Sequence, residues 1–338
     1  MSTDTDTRRE QVLEALVLAG ADGVSGQIIA DHLACSRAAV HRHVETLRRN
    51  GIAIEGVHQG YRLAPGSDPI VPRLVAAQLT KPITGPVLWS PSTGSTNDDA
   101  VAQARAGAAE GLVIGADFQT VGRGRRGRPW HSAPGDAVLC SVVLRPPVAP
   151  ADIGVLPIVV AISVAEALGD DAGIVWPNDI VMDDRKVCGI LCELAADETG
   201  VAWAVVGMGI NVRGVPQLTD ARWQPGALGA TGTSPPRTDV LVAALRALSR
   251  RYSEWLVDGP SSALAAFAER DLLRGCGVTV QAGDRETSGT ANGLDEQGRL
   301  RVITEAGEIV AGAGEVTRVE RGESRPTRRP PRISRRAG

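Results

Sequence analysis

The chain has 338 residues, 43% of them hydrophobic, and a formal net charge of −3. This length predicts two or three domains, and the near-neutral balance gives the whole molecule no general attraction for nucleic acid or membrane. No apolar stretch reaches roughly 18 residues and the first ten residues lack a signal sequence, so neither a membrane span nor export is expected. The five cysteines lack paired CxxC spacing, which predicts reduced thiols and a cytoplasmic location.

Residues 1–64 predict a winged helix-turn-helix DNA-binding domain. Apolar residues recur at helical spacing, Ser25 and Ser36 are placed to cap two further helices, and residues 52–63 alternate like a hairpin that forms the wing. Arginines are concentrated on the third helix, as a reader of the major groove requires. The residues predicted to contact DNA are Ser36, Arg37, His41, Arg42 and Arg48. A small helical protein-interaction module is the alternative.

Residues 65–272 predict a central domain, which begins with a Pro/Gly linker at residues 65–69. Strand-like and helix-like runs do not alternate strictly, which favours a mixed sheet with packed helices over a doubly wound parallel sheet. Neither a P-loop nor a dinucleotide-binding fingerprint is present. The strand-like runs are residues 87–90, 112–118, 137–144, 187–194 and 202–210, and the helix-like runs are residues 97–106, 154–168, 239–257 and 262–270.

Residues 122–128, GRGRRGR, form what we call the Gly/Arg loop. Its alternating glycines disfavour a regular helix or strand, because glycine is entropically costly inside either. Its four guanidinium groups repel one another unless an anion lies among them, and arginine binds carboxylate or phosphate in a bidentate way. The loop is therefore predicted to clamp an anion. A solvated basic loop is the alternative.

Lysine is rare in this chain, since only Lys81 and Lys186 occur among 36 basic residues. Lysine places a compact charge on a single oxygen atom, which the planar guanidinium does less readily. Lys186 is thus a candidate functional residue, although a lysine entering a strand is more often a device for edge solubility. No metal-binding residues are predicted, because His41 and His43 lie two positions apart and point to different faces of a helix.

Six short motifs occur together in the central part of the chain. They are residues 95–97 (STN), Gln119 with the Gly/Arg loop, Trp130 with Ser132, residues 176–179 (WPND), Arg185 and Lys186 followed by residues 189–191 (GIL), and residues 207–212 (GMGINV). In order and spacing this set resembles the bifunctional biotin protein ligases, which are also biotin operon repressors. The resemblance extends from about residue 8 to residue 320.

The resemblance implies the following chemistry. The biotin carboxylate attacks the α-phosphate of ATP to give biotinyl-5′-AMP and pyrophosphate, and a lysine of a biotin carboxyl carrier protein then attacks the mixed anhydride. Mg²⁺ is expected to accompany ATP. The resemblance also implies an α+β fold with a class II synthetase-like central sheet, an SH3-like β-barrel at residues 273–320, and a homodimer that binds operator DNA.

The family's functional residues map onto this chain as three groups. The implied catalytic residues are Lys186, Arg125 and Arg123. The implied biotin-binding residues are Ser95, Thr96, Asn97, Gln119, Gly122, Arg123, Gly124, Arg125 and Lys186. The implied adenylate-binding residues are Arg126, Trp130, Asn178, Asp179 and Asn211. Val175 stands where the family often has a basic residue, and residues 213–236 match no clear pattern.

The C-terminal part divides into a strand-rich module and a basic tail. Residues 273–320 alternate as short strands, with turns predicted at residues 283–284, 292–293 and 295–298. Residues 321–338 contain seven arginines and one glutamate and are predicted to be disordered.

Two other functions compete with a ligase that is also a repressor. One is a ligand-sensing transcription factor without ligase activity, and retention of Lys186 and the full Gly/Arg loop argues against it. The other is a lipoate-type acyl ligase, against which the Gly/Arg loop and Trp130 favour biotin.

Overall fold

The computed structural model describes residues 4–58, 60–198, 200–216, 223–230, 232–312 and 314–320. The basic tail predicted at residues 321–338 lies outside the described residues. So do residues 217–222 and 231, which belong to the segment 213–236 that matches no clear pattern.

The N-terminal module has the predicted helix-turn-helix with a two-stranded wing. Its elements are α1 (Asp4–Ala19), α2 (Gly26–His32), α3 (Arg37–Arg49), β1 (Ile54–Val57) and β2 (Gly60–Leu63). Ser25 and Ser36 cap α2 and α3 as predicted, because their hydroxyl oxygens accept hydrogen bonds from Ile28 N (3.1 Å) and Ala39 N (3.2 Å). β1 and β2 pair in antiparallel register.

The junction between the N-terminal module and the central domain is packed. The short helix α4 (Pro72–Ala76) follows the predicted linker. Val71 and Leu74 pack into the core of the N-terminal module, whereas Ile70 and Val75 belong to the central core. Because neighbouring residues are shared between two cores, this segment joins the two units by side-chain packing as well as by the backbone.

The central domain contains a seven-stranded mixed sheet. Its strands are β3 (Val87–Ser90), β4 (Val113–Ala116), β5 (Ala137–Leu144), β6 (Gly173–Val175), β7 (Asp179–Met182), β8 (Arg185–Asp197) and β9 (Gly200–Asn211). Their order is β3-β4-β5-β9-β8-β7-β6, and β3–β4 is parallel whereas the other neighbouring pairs are antiparallel. The predicted mixed sheet is confirmed. The strand-like runs did not include β6 and β7, whose three and four residues are too few for an alternating pattern.

Helices cover both faces of this sheet. They are α5 (Thr96–Arg105), α6 (Leu156–Leu168), α7 (Arg237–Asp258) and α8 (Ser261–Arg270). Along β5, Val142 and Leu144 belong to the main core with α6 and α7, whereas Val143 belongs to a smaller core with α5. Since successive side chains of a strand point to opposite faces, α5 covers one face and α6 to α8 cover the other.

The C-terminal module is a five-stranded antiparallel sheet. Its strands are β10 (Gly277–Ala282), β11 (Arg285–Leu294), β12 (Leu300–Thr304), β13 (Gly307–Ala311) and β14 (Glu315–Glu320), in the order β13-β12-β11-β10-β14. The turn predicted at residues 292–293 is wrong, because β11 continues through these residues with a register shift between Ala291 and Leu294. Closure of the sheet into an SH3-like barrel stays a prediction. Within the described parts of the chain, no helix combines the length and the apolar character that a membrane crossing requires.

Candidate active site

A cavity of about 1330 Å³ lies beside the N-terminus of α5, on the face of the central sheet that α5 covers. It exceeds the range of roughly 300–1,000 Å³ that is common for small-molecule sites. All the sequence-predicted ligand and catalytic residues except Gly122 line it. These residues are Ser95, Thr96, Asn97, Gln119, Arg123, Gly124, Arg125, Arg126, Trp130, Asn178, Asp179, Lys186 and Asn211. The fold thus brings motifs from four separate parts of the central domain to one place.

One end of the cavity is a buried polar cluster at the start of α5. Thr96 donates hydrogen bonds from its backbone N (2.8 Å) and its hydroxyl (3.0 Å) to Gln119 Oε1. The Ser141 hydroxyl lies 2.8 Å from Thr96 Oγ1 and 2.6 Å from Asn97 Oδ1. Ser95 is buried at the N-cap position, yet its side chain makes no capping bond. Its hydroxyl is therefore available to a polar ligand group.

Ser141 contacts the lining residues Thr96 and Asn97, and sequence reasoning missed this supporting role. It is fully buried in β5, a strand that is otherwise apolar apart from Cys140. A buried hydroxyl requires hydrogen-bond partners. The one signal in the sequence was that a single serine interrupts the apolar run of residues 137–144.

The Gly/Arg loop is an ordered turn that projects over the cavity. Residues 125–127 form one 3₁₀ turn, in which Arg126 adopts φ 56° and Gly127 adopts φ 71°. Gly124 N donates to Arg128 O (2.7 Å) and Trp130 N donates to Gly122 O (2.8 Å), which closes the base of the loop. A Cβ atom at Gly122 would lie 2.7 Å from Trp130 O. Glycine is thus required at residue 122 by a close backbone approach.

Arg123 is held by two carboxylates at the base of the loop. Its guanidinium contacts both oxygens of Glu193 on β8, at 3.1 and 3.2 Å, and forms an ion pair with Asp98 on α5. The hydrogen bond to Asp98 is the main cause of a raised pKa of Arg123. Sequence reasoning missed both acids, which lie 25 and 70 residues from Arg123 along the chain.

The other arginines of the loop contact the C-terminal module or the turn at residues 176–179. Arg125 donates to Gly314 O (2.8 Å) and to Asn178 Oδ1 (3.4 Å), and burial lowers the pKa of its guanidinium. Arg126 donates to Gln281 O (2.8 Å), and Arg128 forms an ion pair with Glu315. The loop is therefore docked and not freely solvated.

Lys186 and Trp130 form the floor of the cavity. Lys186 Nζ lies 2.6 Å from Asp179 Oδ1 and 5.8 Å from the centre of the Trp130 ring. The indole rests on two glycine backbones, since a Cβ atom at Gly189 or Gly209 would lie 2.8 or 2.6 Å from its ring atoms. A cation is thereby held against an aromatic face in a partly buried position.

Two polar atoms of the lining lack a partner among the described residues. They are Trp130 Nε1, a donor, and Asn211 Oδ1, an acceptor. Buried polar groups are nearly always hydrogen-bonded in folded proteins. An unpaired donor and an unpaired acceptor in one cavity therefore indicate groups that a ligand satisfies.

The charged side chains that line the cavity include the cations Lys186, Arg123, Arg125 and Arg126. The described residues contain no group of three or more His, Cys, Asp or Glu side chains arranged to hold a metal ion. Burial raises the pKa of the Cys140 thiol to about 12, and it also raises the pKa of Cys188. These thiols are therefore protonated at neutral pH and unsuited to nucleophilic attack.

Three of the five predicted DNA-binding residues are exposed on α3. Arg37, His41 and Arg42 are exposed, and Ser36 is committed to the helix cap. Arg48 serves the module itself, because it pairs with Glu45 (2.5 Å), donates to Ile54 O (3.0 Å) and lies over the Tyr61 ring. The structure brings the predicted residues onto one helix and assigns Arg48 partners within the fold.

Comparison with known proteins identifies three matching segments. Residues 89–211 match the biotin/lipoate A/B protein ligase family, residues 8–62 match a helix-turn-helix domain, and residues 275–317 match the biotin protein ligase C-terminal domain. The order of these matches reproduces the order of the three modules in the structure.

Full-length relatives and a solved structure agree with these segments. The chain is 32% identical to the bifunctional ligase/repressor BirA of Bacillus subtilis, over 89% of this chain and 95% of that protein. It is 30% identical to the Escherichia coli protein of the same name, over 84% and 89%. The biotin protein ligase of Aquifex aeolicus, solved with biotin and ATP, superposes with a TM-score of 0.61 at 28% identity, over 70% of this chain and 99% of that one.

Proposed function

The chain belongs to the family of bifunctional biotin protein ligases, and we propose that it activates biotin with ATP and transfers the biotinyl group to a lysine of a carrier protein. The observation that carries this proposal is the cavity that residues of the STN, Gly/Arg, WPND and GMGINV motifs line together with Lys186. The same chain acts as a biotin-responsive repressor through its N-terminal module. The cytoplasm, where ATP and DNA are both available, is the proposed location.

Activation requires two anions to approach each other. The biotin carboxylate attacks the α-phosphorus of ATP, the new C–O–P linkage forms, and pyrophosphate leaves with its electron pair. Lys186 is placed to neutralise the reacting carboxylate and phosphate, and Arg125 adds a second, partly buried cation. Electrostatic stabilisation and alignment are sufficient for such a step, so no covalent enzyme intermediate is needed.

Biotin is proposed to lie with its head group at the buried polar cluster. Ser95, Thr96, Asn97 and Gln119 offer hydroxyl and amide groups there, and Gly122, Gly124 and Arg123 place the loop backbone above. The adenylate is proposed to contact Arg126, Trp130, Asn178, Asp179 and Asn211. The unpaired Trp130 Nε1 and Asn211 Oδ1 support this arrangement, because a bound ligand would supply their missing partners.

Mg²⁺ is proposed to enter with ATP, bound mainly to the phosphates. When bound, the ion supplies positive charge that offsets the triphosphate. Asp179, the acid nearest Lys186 in the cavity, is the residue that would meet it.

Transfer and repression use the same intermediate. The carrier lysine attacks the acyl carbon of biotinyl-5′-AMP, an amide forms, and AMP leaves. While no carrier is present, the retained adenylate acts as the corepressor, and a homodimer places two N-terminal modules on a two-fold operator. In this proposal residues 1–64 bind DNA, residues 65–272 catalyse, and residues 273–320 assist ATP and carrier binding.

A pyrophosphate-exchange assay tests the ligase. We expect the protein to exchange labelled pyrophosphate into ATP when biotin and Mg²⁺ are present, and to attach biotin to a carrier domain. Lipoate in place of biotin should give no exchange. Exchange with lipoate alone would point to the lipoate-type ligase, and exchange with neither acid would leave the ligand-sensing transcription factor.

A gel shift tests the repressor. We expect DNA from the upstream regions of biotin-synthesis genes to bind more tightly when biotin and ATP are both added. Equal affinity with and without the two compounds would remove corepression from the proposal. Sedimentation under the same conditions should show a dimer that forms with the adenylate.

A further inference from the structure

We propose that Glu193 and Asp98 are positioning residues, which fix the base of the Gly/Arg loop by holding Arg123. We call them the acidic pair. This inference rests on the proposed ligase function, and it assigns Arg123 to loop placement and not to direct contact with the reacting anions. Glu193 makes a bidentate contact at 3.1 and 3.2 Å, and Asp98 binds from the other side. One guanidinium thus ties the loop to a strand and to a helix.

The local charge argues against Arg123 as an anion ligand. Two carboxylates face a single guanidinium, so this cluster carries a formal charge of about −1 and repels an approaching phosphate or carboxylate. Glu193 is 28% exposed and Arg123 is 33% exposed, so water screens their contact only in part. Lys186 and Arg125 also line the cavity, and the hydrogen-bond acceptors of Arg125 are the uncharged oxygens of Gly314 and Asn178.

Hydrogen bonds connect the acidic pair to the proposed head-group subsite. Asn97 Nδ2 donates to Glu193 Oε2 at 2.8 Å, and Asn97 Oδ1 meets Ser141, which in turn meets Thr96. This path has little freedom, because a Cβ atom at Gly207 would lie 2.0 Å from Asn97 Oδ1. A ligand that orders Thr96 and Gln119 therefore also orders Glu193. The head group of the ligand and the base of the loop are coupled through these side chains.

The physical consequence concerns retention of the intermediate. Three glycines give the loop many unfolded conformations, so its docked form depends on contacts at its base and at its tip. Glu193→Gln removes the charge that holds Arg123 and so loosens the base of the loop. The glutamine side chain still offers an oxygen atom that can accept the hydrogen bond from Asn97. We expect the loop to open more often and the adenylate to escape sooner, since small displacements of positioning groups can cost up to about 10²-fold.

The first experiment measures the loop without any ligand. Glu193→Gln is compared with the wild type by limited trypsin digestion, and peptides that end at Arg125 and Arg126 are quantified by mass spectrometry. We expect cleavage about tenfold faster in the variant, because cleavage follows the open population. Glu308→Gln, which weakens a similar bidentate pair with Arg301 on the C-terminal sheet, is the matched control and should leave this rate unchanged.

Equal cleavage of Glu193→Gln and wild type would overturn the proposal. Thermal unfolding checks that the variant is folded, with an expected midpoint within about 2 °C of the wild type. If Glu193→Gln does not fold, Asp98→Asn replaces it, with a smaller expected acceleration because Asp98 is the more exposed acid. Since no ligand is used, the digestion experiment tests whether the acidic pair fixes the loop even if the proposed ligase function is wrong.

The second experiment is a double-mutant cycle on biotin-dependent pyrophosphate exchange and on release of preformed adenylate. Glu193→Gln should accelerate release about tenfold, and Arg123→Met at least as much, because it also removes the contact to Asp98. The double variant should release the adenylate no faster than Arg123→Met alone, because Glu193 acts on the loop only through Arg123. If the release rate of the double variant equalled the product of the two single effects, the proposal would be overturned. So would an Arg123→Met enzyme that loses exchange about hundredfold while Glu193→Gln is unaffected, since Arg123 would then contact the anions directly.

Discussion

Two arginine-rich segments of this protein use the same residue type in opposite ways. In the Gly/Arg loop, each guanidinium has an acceptor within the chain, supplied by α5, β8, the turn at residues 176–179 or the C-terminal module. On α3, the exposed Arg37 and Arg42 form no ion pair with any residue in the described part of the chain. Arginines with internal partners shape a cavity, whereas arginines without them present a positive surface to an outside polyanion.

The pKa values at the two segments reflect this difference. The bond to Asp98 raises the pKa of Arg123. On α3, partial burial lowers the pKa of His43, and the charges of Arg9, Arg42 and Arg8 lower it further. A positive charge is thus favoured at Arg123 and disfavoured at His43, chiefly because the imidazole is partly buried and in addition because three arginines act on it.

Replacement of Lys186 with alanine should have the largest effect. Lys186 is the first of the two cations proposed to neutralise the reacting oxygens, and its loss leaves only Arg125, so exchange should fall by about 10² to 10³-fold. Pyrophosphate exchange at saturating biotin measures this. Lys81→Ala, which changes the other, exposed lysine, is the control. Activity of Lys186→Ala close to wild type would mean that the loop arginines leave their partners during the reaction.

The double variant Arg37→Ala with Arg42→Ala should have the next largest effect. If each arginine neutralises one phosphate, the plot of log affinity against log salt should become less steep by about two, and DNA affinity should fall at least about tenfold. Fluorescence anisotropy with a labelled duplex measures both quantities. Ligase activity should not change. An unaltered salt dependence would show that these cations do not face DNA.

Arg48→Ala sharpens the same comparison within α3. Because Arg48 contacts Glu45, Ile54 O and the Tyr61 ring, its loss should lower the free energy of unfolding by about 1 kcal/mol and change the salt dependence of DNA binding little. Urea unfolding and anisotropy distinguish the two roles. A large change in salt dependence without a loss of stability would place Arg48 among the DNA-facing cations.

Glu315→Gln should have a smaller effect at the tip of the loop. Glu315 forms ion pairs with Arg128 and, at 3.8 Å, with Arg126, and both arginines are well exposed. Exposed pairs are weak, so the free energy of unfolding should fall by less than about 1 kcal/mol. Thermal unfolding in low and in high salt measures this, and high salt should remove the difference between variant and wild type. A larger loss would show that the tip, not the acidic pair, is the main anchor.

The smallest effect is a pH dependence of the N-terminal module. A lowered pKa of His43 means that the unfolded state binds the proton more readily than the folded state. The contribution of His43 to stability is therefore complete above about pH 6.5, the ordinary pKa of histidine, and is lost as the pH falls below that value. Hydrogen exchange of α3 amides between pH 7.5 and 5.5 measures this. His43→Gln should flatten the profile, and added salt should weaken it in the wild type. A steeper profile in the variant would contradict the assignment.

Local patterns predicted the elements that are long or carry their own end signals. The helices of the N-terminal module were recognisable because Ser25 and Ser36 lie at the caps and apolar residues recur at helical spacing. The strands β6 and β7 were too short for such a signal. The expected turn at residues 292–293 is an irregularity within β11, where Gly293 adopts φ 76° and pairing with β12 resumes at Leu294.

The sequence by itself determined the order of the three modules, the helix that presents arginines outward and the set of motifs that resembles a ligase. These features depend on residues near one another in the chain, whose spacing sets which side of a helix or strand they occupy. Only the tertiary structure decided which acceptor each loop arginine meets. Glu193 and Gly314 approach Arg123 and Arg125 from 70 and 189 residues away, because packing of the sheets, and no local pattern, brings those backbones together.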